Sequence, residues 1–215
     1  MNPVLFYAMF VLAFFTIVAC YIRSSKHLIM LLSLQATIVT MVSFVSILLD
    51  TSLTADFATV IKVASALVEW FFAAVVAPLI LFVGVTRTEN ATELPKIGMQ
   101  KTSIIIGVLI AGQAVIWLWI YPSTPAHLII FAPIILVLSI DFVFILTRDD
   151  PFKVLVGLNI AETALFPFFE QAPLLIIPPL LLVVNLVNLV GVFIIYHGYR
   201  EYGVLSISEW RQLLL

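Results

Sequence analysis

Seven long apolar runs, separated by short polar segments, organise this sequence. A membrane-spanning helix needs about 20 consecutive apolar residues, and each run comes close to that length or exceeds it. Charged residues, prolines and glycines mark the boundaries between the runs. The pattern predicts seven transmembrane helices, at residues 3–22, 28–49, 57–86, 102–121, 126–147, 152–172 and 174–199.

A shorter segment, 204–215, follows the last run and has a different pattern. Its apolar residues, among them Trp210 and Leu213, alternate with the charged residues Glu209 and Arg211. This mixture is typical of an amphipathic stretch that lies on a membrane surface. We therefore expect a cytoplasmic tail at this point and no eighth span.

The composition supports a membrane protein and excludes several other classes. Of the 215 residues, 63% are hydrophobic and only 10% are charged, which is far from the usage of soluble domains. The expected fold class is all-α, a polytopic helix bundle forming one integral membrane domain over residues 1–215. The single cysteine, Cys20, excludes a disulfide framework, and the sequence has no glycine-rich phosphate loop. The lipid bilayer is an expected partner, and nucleic acid is not.

The basic residues predict the orientation of the chain in the cell membrane. Lysines and arginines concentrate in the first, third and fifth connections and after the last run, whereas the second, fourth and sixth connections contain no lysine or arginine. Because cytoplasmic loops carry the excess of lysine and arginine, the N-terminus is expected outside and the C-terminus in the cytoplasm. The residues involved are Arg23, Lys26, Arg87, Lys96, Lys101, Arg148, Lys153, Arg200 and Arg211, against Asp50, Asp56 and Glu170.

Two of the runs resemble each other and suggest an internal repeat. Lys26 and Lys153 each stand at the start of a run, and nine positions later comes a polar residue, Gln35 in one and Glu162 in the other. Two three-helix copies, 1–86 and 126–199, enter the membrane in the same direction only if an extra helix separates them. Residues 102–121 would supply that linker, which gives a 3+1+3 parallel repeat. Two unrelated apolar helices would also look alike, so this alternative stays open.

Three carboxylates interrupt the apolar runs and are the candidate functional residues. A charged side chain at the centre of a bilayer is costly, and such residues usually face a protein interior or a water-filled path. Glu162, Glu69 and Asp141 are therefore candidates for proton transfer. Lys62 is a cationic candidate that lies seven residues before Glu69, on the same helix face. The supporting polar residues are Asn159, Asn185, Asn188 and Gln35.

Each candidate also has a purely structural interpretation. Glu162 can serve helix packing alone, and Lys62 can extend its side chain to the membrane surface. Asn185 and Asn188 share a helix face and can hold helices together. One local feature is more definite: Asp150 is predicted as the N-cap of the sixth helix and Pro151 as its first residue.

The segments "ILTRDDPFKVLVGLNIAETALFPFF" and "YHGYREYGVLSISEWRQLL" resemble component E of hydrogenase-4. The C-terminal half of that family looks like the K subunit of respiratory complex I and the C subunit of Mrp-type cation/proton antiporters. "VASALVEWFFAAVVAPLILFVGVTR" is similar to the family's third helix, with a small-residue run and a proline before a basic end. The resemblance covers most of the chain and rests on no single diagnostic motif.

The resemblance implies a function in a larger assembly. The chain would be a non-catalytic membrane-arm subunit of a complex I-like redox-driven pump, such as a group 4 NiFe-hydrogenase, beside antiporter-like membrane subunits. It would hold no cofactor itself, and the Fe–S and NiFe centres would lie in partner subunits. Glu162 matches the family's acidic residue, whereas Ala73 stands where the family has a lysine, and Asn185 and Asn188 stand where complex I has a second glutamate.

Two other function classes were considered. SWEET-type sugar carriers share the 3+1+3 layout and the outside N-terminus, so a small-solute transporter is the alternative. Against it, the sequence has no matched tryptophan–asparagine pocket in the two halves. A retinal protein is excluded because residues 174–199 contain no lysine for a Schiff base, and a seven-helix receptor remains as a remote third class.

Overall fold

The chain is all-α, as predicted. The computed structural model describes residues 3–49, 57–90, 92–123, 128–129, 131–165 and 176–213. Within these ranges no β-strand occurs, and Ser24 and Thr92 form one isolated antiparallel bridge. The helices are α1 (Pro3–Tyr21), α2 (Ser25–Leu49), α3 (Phe57–Trp70), α4 (Ala77–Arg87), α5 (Met99–Ile120), α6 (Phe131–Thr147), α7 (Pro151–Ala164), α8 (Ile177–Tyr202) and α9 (Ile207–Leu213).

The predicted spans agree with these helices except at their ends. The third span, 57–86, corresponds to α3 and α4, which a π-helical turn at Phe71–Val76 joins. The fifth span is predicted from 126; α6 begins at Phe131, and residues 124–127 and 130 lie outside the described ones. The sixth is predicted to reach 172; α7 ends at Ala164 with Leu165 as its C-cap, and residues 166–172, with Pro167, lie outside the described ones. The predicted tail contains α9, a short helix of seven residues.

Several helices are long and apolar enough to cross a membrane. Among the residues that the structure describes, four stretches meet that description: Ser25–Val42, Thr59–Arg87, Met99–Ser123 and Ile177–Tyr202. Two shorter apolar helices cover Phe6–Tyr21 and Phe131–Thr147. The outer surface is also apolar, because α8 exposes a row of large side chains that includes Leu186, Val187 and Phe193. An exterior of this kind fits a membrane protein and not a soluble monomer.

Helices α2 and α7 lie at the centre of the bundle. α2 packs against α1, α3, α4 and α7, while α7 also contacts α6 and α8. Gly157 allows the close approach of α6 and α7, because a Cβ atom there would overlap the side chain of Ile145. α5 is peripheral: it packs mainly against α6, and most of its side chains are exposed. The core therefore lies among α1, α2, α4, α6, α7 and α8.

Candidate functional site

The π-helical turn between α3 and α4 has a cause in the sequence. Pro78 has no backbone N–H and so cannot bond the carbonyl oxygen of Ala74 four residues earlier. The N–H of Ala77 instead bonds the carbonyl of Phe72, five residues back. The hydroxyl of Ser33 on α2 donates to the free Ala74 oxygen at 2.6 Å. A side chain from a neighbouring helix thus satisfies the carbonyl that the proline leaves open.

We expect Ser33→Ala to lower the free energy of unfolding by about 1–2 kcal/mol, because the Ala74 carbonyl loses its donor. In the Pro78→Ala background a backbone N–H is available to that carbonyl, so the same substitution should have a smaller effect. Unfolding of the four proteins in mixed micelles gives the coupling between the two sites. Equal losses in both backgrounds would contradict this account of the turn.

Glu162 lines a small internal cavity next to this turn. The cavity has a volume of about 10 Å³ and is bordered by residues from α2, the π-helical turn, α7 and α8. Three of its lining residues have polar side chains, Glu162, Thr40 and Thr163, and Ala73 lines it from the turn. A space of this size is close to the minimum that holds one water molecule. The site therefore combines a carboxyl, two threonines and room for about one water.

Asn159 and Asn188 form a reciprocal amide pair between α7 and α8. The side-chain nitrogen of each donates to the side-chain oxygen of the other at 2.8 Å. Asn159 also donates to the carbonyl of Leu155, and Asn185 donates to that of Leu181. Asn159 and Asn188 are buried, so their amide pair stabilises the contact of α7 with α8 in an apolar setting. Asn159 serves this contact, while Glu162 on the same helix borders the cavity.

Gln35 and Asp141 belong to a different part of the core. Gln35 is fully buried and donates to the hydroxyl of Thr16 on α1 at 3.3 Å. Asp141 on α6 is also buried, and its Oδ1 atom has no hydrogen-bond partner among the described residues. Cys20 on α1 is close enough to interact electrostatically with Asp141. The structure therefore does not place Asp141 beside Glu162.

The two candidates on α3 have opposite environments. Glu69 is buried, at 6% exposure, and lies one residue before Trp70, the last residue of α3. Lys62 is exposed, although the two residues are seven positions apart. An exposed lysine near the end of an apolar helix can reach the membrane surface with its ammonium group. The structural interpretation of Lys62 is therefore favoured over a role in the buried site.

Sequence analysis missed a polar network at one end of the bundle. The connections after α1, α4, α6 and α8 meet there, at residues 22–24, 88–90, 92–98, 148–150 and 203–208; we call them the loop cluster. The amide of Glu93 donates to the carbonyl of Arg23 at 3.3 Å, and the amide of Lys96 donates to that of Thr147 at 2.8 Å. The amide of Ile207 donates to the backbone carbonyl of Asp149 at 3.0 Å. The four connections thus form one structural unit.

Arg148 is the buried cation of the loop cluster, at 2% exposure. Its Nη2 atom donates to three carbonyls at the end of α1, those of Ala19, Cys20 and Ile22, the shortest at 2.6 Å to Cys20. Its Nη1 atom donates to the carbonyl of Glu93 at 3.2 Å. The last carbonyls of a helix have no partner within it and carry partial negative charge. Arg148 therefore caps α1 from a distant part of the sequence.

Asp149 anchors the tail to the rest of the loop cluster. Its carboxylate pairs with Lys96 at 2.8 Å and accepts hydrogen bonds from the hydroxyls of Ser206 and Ser208. Partial burial by itself would raise the pKa of this carboxyl, but the hydrogen bonds from Lys96 and the two serines outweigh it and lower the pKa to about 2. Asp149 is therefore ionised at neutral pH and holds the start of α9.

Asp150, Glu93 and Lys153 complete the network at the start of α7. Asp150 accepts from the amide of Phe152 at 2.9 Å, so the predicted N-cap is confirmed, with Pro151 first in the helix. Glu93 accepts from the amides of Asp149 and Asp150 and lies 3.7 Å from the Lys153 ammonium. Lys153 is fully buried. The signal for this network in the sequence was the run of charged residues around the start of α7, from which only the membrane orientation was predicted.

A metal site would require several histidine, cysteine or carboxylate side chains close together. In the part of the chain that the structure describes, no group of three or more histidine, cysteine, aspartate or glutamate side chains is placed to hold a metal ion. The described fold and site thus define an all-α bundle of membrane-protein character with buried polar residues. No protein-family model matches the chain, and neither a curated protein nor a solved structure shows significant similarity to it.

Proposed function

We propose that this chain is a non-catalytic membrane-arm subunit of a complex I-like redox-driven ion pump, related to component E of hydrogenase-4. In this proposal Glu162 takes part in proton transfer. The observation that carries it is the cavity that Glu162 shares with Thr40 and Thr163, with room for about one water. A carboxyl that can bind or release a proton through a water molecule is the element that a proton path needs within a membrane.

The π-helical turn adds support to this site. π-helical turns occur frequently at functional sites, and this one supplies Ala73 to the wall of the cavity. Glu69 lies just before the turn and is buried. Ser33 bonds this turn from α2, so the wall of the cavity is linked to a neighbouring helix.

The proposal includes seven spans, an outside N-terminus and a cytoplasmic C-terminus. The loop cluster supports it because the connections that hold most lysines and arginines lie together at one end of the bundle. The positive-inside rule assigns that end to the cytoplasm.

The 3+1+3 repeat is part of the same proposal. If 1–86 and 126–199 are two copies, their equivalent helices pair across the bundle, α1 with α6, α2 with α7 and α4 with α8. α5, the linker helix of the proposal, is the peripheral one. Its exposed apolar surface leaves a face for the antiporter-like partner subunits, and the Fe–S and NiFe centres would lie in other partner subunits.

A small-solute transporter of the SWEET type receives less support. A transporter of this type has its substrate site near the middle of the membrane, and the cavity beside Glu162, at about 10 Å³, is far below the range of about 300–1,000 Å³ that is usual for small organic ligands. Sugar uptake by proteoliposomes that contain this chain alone would overturn the proposed function.

Isolation of the tagged chain from its native membranes in mild detergent tests the proposal. We expect antiporter-like membrane subunits and iron–sulfur proteins to co-purify in fixed proportion, together with nickel if the assembly is a hydrogenase. Mass spectrometry and metal analysis of the purified complex measure this. A stable folded monomer with no such partner would contradict the proposal.

A further inference from the structure

An open pocket of about 680 Å³ lies beside the loop cluster, between the end of α1 and the start of α2. It is lined by Ile22, Arg23, Ser24, His27, Thr92 and Leu94. Its volume lies within the range of sites that bind small ligands. Neither the site at Glu162 nor the hydrogen bonds that hold the loop cluster together account for this space.

The two basic side chains of the pocket have no partner within the described protein. Arg23 and His27 are both exposed, and neither side chain makes a hydrogen bond or ion pair with a described residue. Two cations of the loop cluster are engaged elsewhere: Arg148 binds backbone carbonyls, and Lys96 pairs with Asp149. The pocket therefore presents unused positive charge and hydrogen-bond donors.

Two acidic residues belong to the connection after α4: Glu89, which is exposed and does not line the pocket, and Glu93. The Glu93 carboxylate accepts from the amides of Asp149 and Asp150 and faces Lys153. Lys26 is turned away, with its ammonium group 6.0 Å from the centre of the Phe82 ring. The pocket thus favours an anionic ligand.

The rim of the pocket is apolar. Leu94 lines the pocket and is 46% exposed, and Ile97, three residues further along the same connection, is 37% exposed. Ile22 adds a third apolar side chain, directly after the apolar helix α1. A cationic pocket with an apolar rim at the ends of membrane helices matches a molecule with an anionic head and hydrocarbon chains, and such pockets bind lipid headgroups on the cytoplasmic side.

We propose that this pocket binds the phosphate-bearing headgroup of an anionic phospholipid. Arg23 supplies a planar guanidinium that can donate two parallel hydrogen bonds to phosphate, and His27 and Thr92 supply further donors. Leu94 and Ile97 contact the acyl chains. This inference does not depend on the proposed function, because it concerns the loop cluster and not the site at Glu162.

Lipid binding to the full chain, purified in an uncharged detergent, tests the inference. Native mass spectrometry would compare phosphatidylglycerol and phosphatidylcholine with identical acyl chains, and a third titration would use inorganic phosphate as competitor. We expect phosphatidylglycerol to bind at least about five-fold more tightly than phosphatidylcholine, since one cation near a membrane surface contributes about that factor.

The double substitution Arg23→Gln/His27→Gln should remove this preference. Arg211→Gln is the matched control, because Arg211 is an exposed arginine of α9 and does not line the pocket. Unchanged phosphatidylglycerol affinity in the double variant, or an equal loss in the control, would overturn the inference. If inorganic phosphate binds as tightly as phosphatidylglycerol and displaces it, the pocket is a free-phosphate site and the lipid assignment is wrong. Because all three positions are exposed, we expect the variants to fold, and circular dichroism checks this.

Discussion

Replacing Glu162 with glutamine is expected to reduce the number of protons translocated per electron by roughly ten-fold or more while leaving assembly intact. Glutamine has nearly the same shape and fills the cavity beside Thr40 and Thr163 equally well. It cannot bind or release a proton in the neutral range, and a positioned acid or base typically contributes about 100-fold or more to a proton-transfer step. The proposed relay would therefore lose a step without losing the structure around it.

Inverted membrane vesicles with the assembled complex allow this measurement, because electron transfer and acidification can be followed in one sample. Glu162→Asp should retain part of the activity, since it keeps a carboxyl group on a shorter side chain. Glu209→Gln is the control, because Glu209 is an exposed acid on α9. Full translocation in the Glu162→Gln complex would reduce Glu162 to a packing residue.

Replacing Arg148 with glutamine is expected to lower the free energy of unfolding by about 2–4 kcal/mol. The substitution removes charge-assisted hydrogen bonds to the carbonyls at the end of α1 and to the backbone carbonyl of Glu93. A hydrogen bond to a charged group typically contributes about 1.5–3 kcal/mol to stability. It also removes the contact of the guanidinium with the Phe144 ring, at 5.0 Å. Loss of this single side chain would therefore loosen three connections at once.

Arg148→Lys separates charge from geometry. Lysine keeps the positive charge but lacks the planar guanidinium that bonds several carbonyls at once. We therefore expect Arg148→Lys to lower the free energy of unfolding by less than Arg148→Gln does. Unfolding in mixed micelles, followed by tryptophan fluorescence, measures both variants against Arg211→Gln. A loss in Arg148→Gln no greater than in Arg211→Gln would show that the capping of α1 does not stabilise the protein.

The contrast between Glu162 and Gln35 illustrates what a repeat pattern can and cannot predict. The two residues occupy equivalent places in the proposed copies, nine positions after a lysine. In the structure Gln35 bonds Thr16 on α1, whereas Glu162 borders the cavity against α2 and the π-helical turn. Positions that match in sequence have different neighbours because α2 and α7 pack against different helices. A sequence match alone therefore does not predict the surroundings of the polar residue.

The sequence by itself determined where the chain is helical and how α7 begins. Long apolar runs require helices because a backbone in lipid must satisfy its own hydrogen bonds, and Asp150 and Pro151 specify a helix start through local geometry alone. The hydrogen bonds of Arg148 to α1 join residues more than 120 positions apart, and Ser33 reaches Ala74 from another helix. Periodicity shows which side of a helix is apolar but not which helix packs against it. For that reason only the tertiary structure decided the loop cluster, the π-helical turn and the surroundings of Glu162.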